Sequence, residues 1–378
     1  MDFRPTEEQA AATALAARIF RDLATHERLA AAGTGSDAEL WKALTAAGLT
    51  AAVEELGLLG LVLLLEEQGR TTAQVPYAAT CAYGVLPVAV HGSPEQRARL
   101  LPALGSGEAV ATGAFPARRT VTATPDGHLT GTAPAVPWLR DATHVLVPDH
   151  DRTLWLVRTD APGAATRPVE TTAPWSAASL TLTGAPAERL GGPDAYDAVL
   201  AAARTAFAGL QAGVCAGSLA RAVEHTSTRE QFGRPLSTNQ GVMLRAADAH
   251  MDTEAIRVTA YEAAWRIDEG LPAREHALTA AWWASEAGKR VVHTGQHLHG
   301  GMGADLDHPV HRHFLWGRQL DAYLGCGSEL LSELGALISG GEPTSEGEPT
   351  SEGKPTSEGK PAPEEDLMPG GEQEGEAA

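Results

Sequence analysis

Thr228-Arg229-Glu230-Gln231-Phe232-Gly233-Arg234-Pro235-Leu236, followed by Gln240, lies between two long runs rich in Ala and Leu. A loop there presents Arg229, whose planar fork can pair bidentately with a pyrophosphate. Phe232 adds an apolar face, and Gly233 lets backbone approach a ligand closely. A second glycine loop, His299-Gly300-Gly301-Met302-Gly303, comes about 70 residues later. The runs Tyr196–His225, Thr238–Glu269, Arg274–His297 and Pro309–Ile338 each exceed an average helix and predict four long packed helices across 191–338.

Upstream the pattern changes. Between 109 and 190, Thr120–Ala123, His144–Val147, Leu154–Val157 and Leu180–Leu182 are short and rich in Val, Thr and Leu. Pro125-Asp126-Gly127 and Asp149–Asp151 punctuate them, which predicts an antiparallel β-domain. Residues 1–108 read as helical. Thr6-Glu7-Glu8-Gln9 predicts a capping start at Thr6, Asp37–Ala47 and Leu56–Gln68 carry helical spacing, and Pro94 suits a first helical position. Residues 339–378 include near-copies of a six-residue unit beginning at Gly341, Gly347, Gly353 and Gly359, and predict a disordered acidic tail. The fold class is therefore α+β and multidomain.

The net charge of −19 is uneven, because 341–378 hold 11 acidic residues and 2 lysines and so carry −9, leaving −10 elsewhere. An acidic body excludes the basic face that nucleic-acid binding needs, while a few local arginines still suffice for a phosphate. Cys81, Cys215 and Cys326 form neither a CxxC pair nor a zinc pattern and read as small hydrophobes. His299, His308, His311 and His313 crowd together, but Pro309 interrupts them and no ligand spacing is completed, so no metal is expected. Met1–Gln9 is polar and unlike an export signal. Leu56–Leu65 falls short of the roughly 20 residues a membrane span requires, and a cytoplasmic home is expected.

The Arg229–Gln240 string resembles the R-x-x-F-G-x-P-I-x-x-x-Q signature of acyl-CoA dehydrogenases, and His299–Gly303 resembles that family's H-G-G-x-G loop. Weaker likenesses at Met1-Asp2-Phe3, Gly69–Pro76 and Gly92 through Glu108 extend the resemblance over about residues 1–338. It implies the family's fold: an N-terminal helical domain, a middle β-domain and a C-terminal four-helix bundle. It also implies FAD, held at its pyrophosphate and adenine end by Arg229, Gln231, Phe232, Gln240, His297, His299, Gly300, Gly301 and Gly303. Much of that contact is with FAD bound mainly by a neighbouring subunit.

The chain departs from the family where the chemistry occurs. Acyl-CoA dehydrogenases use a glutamate to take the α-proton of a CoA thioester while hydride leaves the β-carbon for the flavin, and that base must sit within hydrogen-bond reach. One family position for it lies in Y-E-G-T, matched here by Tyr323-Leu324-Gly325-Cys326, so Leu324 stands there. The other is the glutamate of an E-R pair 26 residues before the signature arginine, which here is Ala203, followed by Arg204. Segments that line the flavin ring differ too: Thr112–Ala117, Pro134–Pro137 with Ala135 near the usual tryptophan and Trp138 as a displaced substitute, and a shortened Val53–Gly57.

Empty base positions beside intact FAD-tail motifs are similar to the β-type subunits of α2β2 acyl-CoA dehydrogenases of bacterial steroid side-chain degradation. That resemblance implies a non-catalytic subunit that completes the FAD site of a catalytic partner, the partner holding most of the acyl-CoA. Two alternatives stay open: a self-sufficient homo-oligomer with a relocated base such as Glu224, Asp248 or Glu254, or a flavin monooxygenase or scaffold on the same fold.

Overall fold

The computed structural model describes residues 3–340; Met1, Asp2 and the repeat tail from 341 onward lie outside the described residues. The N-terminal part is helical: α1 (Glu7–Leu23), α2 (His26–Ala32), α3 (Ala38–Ala46), α4 (Val53–Thr71), α5 (Tyr77–Thr80), a π-helical turn Cys81–Val85, α6 (Leu86–His91) and α7 (Pro94–Ser106). The expected starts hold. Thr6 Oγ1 accepts from Gln9 N at 3.2 Å while Gln9 Oε1 accepts from Thr6 N at 3.0 Å, a reciprocal capping box. Ser93 and Gln96 repeat that box ahead of α7, with Pro94 at its first turn.

Helix α4 is buried on nearly every side from Leu58 to Leu65, so it serves as the central rod of this half. Its start is broken at Gly57, where φ is +72°. The amides of Leu58 and Leu59 donate to the Asp268 carboxylate at 2.8 and 2.9 Å. A Cβ at Gly57 would sit 2.9 Å from those oxygens, so this cap across 210 residues requires glycine.

The middle part is a seven-stranded sheet of β1 (Ala111–Gly113), β2 (Val121–Ala123), β3 (His128–Val136), β4 (His144–Pro148), β5 (Leu154–Arg158), β6 (Ala164–Pro168) and β7 (Ala178–Arg189). Its order is β1-β4-β5-β7-β3-β2, with β6 pairing β7 outside that path. The expectation of an antiparallel domain needs one correction: β1 runs parallel to β4, with Ala111 opposite His144. No hairpin joins these two strands, because β2 and β3 intervene, so nothing forces them to run opposite ways. Val121, Leu129, Val136, Val145, Val157, Leu180 and Leu182 form the sheet's own core.

The C-terminal part comprises α8 (Ala195–Thr228), α9 (Gln240–Asp268), α10 (Arg274–Leu298), α11 (Pro309–Tyr323) and α12 (Gly327–Ser339). Between α8 and α9 lies a two-stranded hairpin, β8 (Glu230–Gln231) with β9 (Arg234–Pro235). The four-helix expectation is corrected at its last member, because Pro309–Ile338 is two helices. Gly325 at φ +117° and the extended Cys326 end one helix and cap the next. Helix α8 is long and apolar enough to cross a membrane, yet it is the buried axis of this bundle. It packs on α4 through Gly209, Gly213 and Gly217; a Cβ at Gly213 would lie 2.0 Å from the Glu66 carbonyl oxygen.

Candidate cofactor-contact site and the closed base position

At the end of α8 the chain turns through Phe232 and Gly233, with φ of +55° and +74°. Two successive positive values between paired strands match the tight hairpin turn that suits the twist of a β-ribbon. Glycine takes this conformation freely, whereas a bulky residue there costs about 1 kcal/mol or more. Phe232 is nonetheless 99% exposed, so no contact within this chain compensates. Arg229 caps α8 and makes no ion pair among the described residues. Gln231, Arg234 and Gln240 face solvent beside it.

The second glycine loop forms a 3-10 turn over Gly300–Ala304. Gly303 is fixed by packing, since a Cβ would meet the Gln296 carbonyl oxygen at 2.2 Å. Gly300 and Gly301 instead face open space, with nothing within 4 Å of a Cβ. His299 is buried, its Nδ1 2.7 Å from the Gly295 carbonyl oxygen. Its ring stacks on His225 with centroids 4.7 Å apart and meets His308 edge-on at 5.0 Å. His225 lies one turn before Arg229, whose amide donates to the His225 carbonyl at 2.9 Å. This stack brings the two motif loops to one end of the bundle.

His297 points elsewhere, into an open groove of about 670 Å³ between α9 and α10, shared with Arg245, Asp248, Asp252, Arg290 and His293. The other expected histidines separate: His311 leans on Phe314, and His313 is buried between the carbonyl oxygens of Pro309 and Arg70 at 3.3 and 3.1 Å. Burial pushes the His313 imidazole down to about 4.

Ala203 and Leu324, far apart in sequence, both lie in the core, at 0% and 6% exposure. Arg204 Nε donates to the Leu324 carbonyl at 3.3 Å, and its guanidinium grips Glu333 of α12 bidentately at 3.0 and 2.8 Å. The cavity between Arg204, Phe207, Ala208, Tyr323 and Leu324 measures only about 20 Å³. Phe207 and Tyr323 line it with their rings 4.9 Å apart, and behind them Trp175 meets Tyr323 at 5.9 Å and Tyr83 stacks on Phe115 at 5.1 Å. The Tyr83 and Tyr323 hydroxyls bond each other at 3.0 Å, and burial pushes both phenols far above their ordinary range, so both stay neutral. Trp138 is wholly buried against Trp175 at 4.3 Å, while Ala135 is exposed. Of the substitute bases considered, Glu224 and Asp248 are exposed and Glu254 is paired to Arg257.

Residues 6–108 match the N-terminal domain of acyl-CoA dehydrogenases and residues 191–334 match their C-terminal domain. The chain belongs to the acyl-CoA dehydrogenase family. Members of this family bind FAD. The chain is 37% identical to the acyl-CoA dehydrogenase FadE27 of Mycobacterium tuberculosis over 329 residues, covering 79% of this chain and 87% of that one. Among solved structures it resembles a variant of the Tcur3481–Tcur3483 steroid ACAD, at TM-score 0.84 and 42% identity, over 88% of this chain and 98% of that one. It also resembles the ChsE4–ChsE5 complex from Mycobacterium tuberculosis, at TM-score 0.84 and 33% identity, over 90% and 99% of the two chains. Both neighbours are heteromeric assemblies.

The sequence pointed to most of this end of the bundle but not to His225 or Glu333. His225 is a helix residue outside the motif strings. Glu333 lies 129 positions from Arg204, and no local pattern marks the pair.

Proposed function

We propose that this chain is the non-catalytic subunit of a heteromeric acyl-CoA dehydrogenase, completing the FAD site of a partner that carries the glutamate. The observation that carries this reading is the contrast between its two ends. Ala203 is wholly buried, and Leu324 lines a cavity of only about 20 Å³. Arg229, Phe232, Gly300 and Gly301 stand open at the other end.

The donor set there fits the pyrophosphate and adenine end of FAD: a guanidinium without an ion pair among the described residues, an outward aromatic ring, and glycine backbone with room in front of it. FAD, when bound, supplies the hydride acceptor. In this chain Arg229 would hold negative charge, Phe232 would exclude water, and Gln231, Gln240 and His299 would contribute polar contacts around it, whereas His297 faces the separate groove between α9 and α10. The proton at the α-carbon would go to the partner's carboxylate, because among the described residues no carboxylate lines the cavity at Leu324. The heteromeric steroid ACADs to which it is similar favour a steroid side-chain thioester handled by the partner, inside the cell. The test is co-expression with a candidate acyl-CoA dehydrogenase subunit that carries the glutamate, followed by native electrophoresis. A mixed complex that survives purification supports the reading; two separately migrating proteins would overturn it.

A further inference from the structure

His225 on α8, His299 ahead of the glycine loop and His308 at the cap of α11 form a continuous run of three rings, the first pair stacked at 4.7 Å and the second edge-on at 5.0 Å. These rings tie the segment ahead of the Gly300–Gly303 loop to the α8 end bearing Arg229. Each outer ring reaches a different element, and His308 Nδ1 also accepts from the Val310 amide at 3.2 Å, capping α11. Its Nδ1 must therefore be unprotonated, and His299 Nδ1 must carry a proton to bond Gly295.

The charged surroundings are mostly positive. From α8, Arg229 acts on His225, and Arg221, with Glu224 beside it, acts on His308. From the loop, Asp305 is the one carboxylate favouring a charged His308. From α11, His313 lies under the influence of Arg221 and Arg312. Three imidazoles beside Arg221 and Arg229 cannot all take up protons without like charges about 5 Å apart.

We infer that the His225–His299–His308 stack is a proton-sensitive clasp that seats the glycine loop at neutral pH and releases it on acidification. The inference rests on the cofactor-contact reading for its use, since release would withdraw one of the two loops from the cofactor. Its direction follows from linkage. Burial first, then neighbouring positive groups, hold His225 and His308 below the ordinary imidazole value. A histidine depressed in the ordered state contributes stability above its free value of about 6.5, and that stability is lost as pH falls through the lowered one. Each extra proton taken up on release changes the opening ratio about tenfold per pH unit.

Hydrogen–deuterium exchange on the full chain at pH 7.5, 6.5 and 5.5, corrected for intrinsic exchange, tests this. Peptides spanning 298–308 should lose protection at least tenfold across that range while the middle of α10 stays protected. His225→Phe with His308→Asn keeps a ring and a cap acceptor without the charge, and should flatten the response; His225→Phe alone should roughly halve its logarithmic slope. A loop indifferent to pH in the natural chain, or an unchanged response in both variants, overturns the clasp. Flavin retention by the co-expressed complex is read separately. A responsive loop in a chain that never acquires flavin supports the clasp and overturns only the cofactor reading.

Discussion

Removing the arginine left over from the family's E-R pair should weaken the fold rather than any chemistry. Arg204 is 8% exposed and Glu333 24%, with three hydrogen bonds joining Arg204 to Glu333 and to the Leu324 carbonyl. Stripping one partner from a buried pair costs about 3–5 kcal/mol, most of it from the charge left behind. The two deletions should not be equal. Without Arg204, Glu333 keeps some solvent and has Arg274 at 3.8 Å, so Arg204→Ala should cost about 2–3 kcal/mol. Without Glu333, Arg204 keeps only a carbonyl, so Glu333→Ala should cost about 3–4 kcal/mol. The double variant leaves no orphan charge, and the cycle should return a coupling of about 2 kcal/mol. Burial works to raise the Glu333 pKa, but Arg204 outweighs it and the net shift is downward. The pair's contribution is therefore present above about pH 4.5 and fades as pH falls below it, so urea unfolding of all four proteins belongs at pH 7. A coupling under about 0.5 kcal/mol, or a cheaper loss at Glu333 than at Arg204, would refute the reasoning.

Phe232→Ala should leave the isolated chain's melting temperature unchanged, because the ring is 99% exposed, yet weaken the complex tenfold or more by titration calorimetry. Tyr83→Phe or Tyr323→Phe should each cost about 1–2 kcal/mol in urea by orphaning the other buried hydroxyl, whereas the double change should be nearly neutral. His313, held at about 4, should make the chain lose stability as pH drops from about 6.5 toward 4, by about 3 kcal/mol in all, and a stability–pH curve of His313→Gln should lack that loss. Leu324→Glu should restore the motif residue without activity on butyryl-CoA in a dye-reduction assay, since the surrounding cavity holds no acyl group; measurable turnover by the purified chain would count against the closed-pocket account.

Local chemistry was legible where one short segment contains its own cause. The Thr6–Gln9 and Ser93–Gln96 boxes, and the long apolar periodicity of α8 to α10, are determined within a few turns. The loop between α8 and α9 was legible because a glycine beside an aromatic residue states the turn directly. What escaped depends on distant partners. The parallel β1–β4 pairing follows from which strands intervene, and β1 is only three residues long. The break at Leu324–Cys326 is one positive-φ glycine inside a continuous apolar pattern. Ala203 and Leu324 were legible as missing carboxylates, but the small cavity at Leu324 depends on Phe207 and Tyr323 meeting from separate helices.

The visible spectrum of this protein, purified alone and after co-expression with a glutamate-bearing acyl-CoA dehydrogenase subunit that forms a complex with it, tests the central claim most directly. Flavin absorbance in the complex alone, near one FAD for each pair of unlike chains, is the predicted result. A yellow protein on its own, with one FAD per chain, would contradict it.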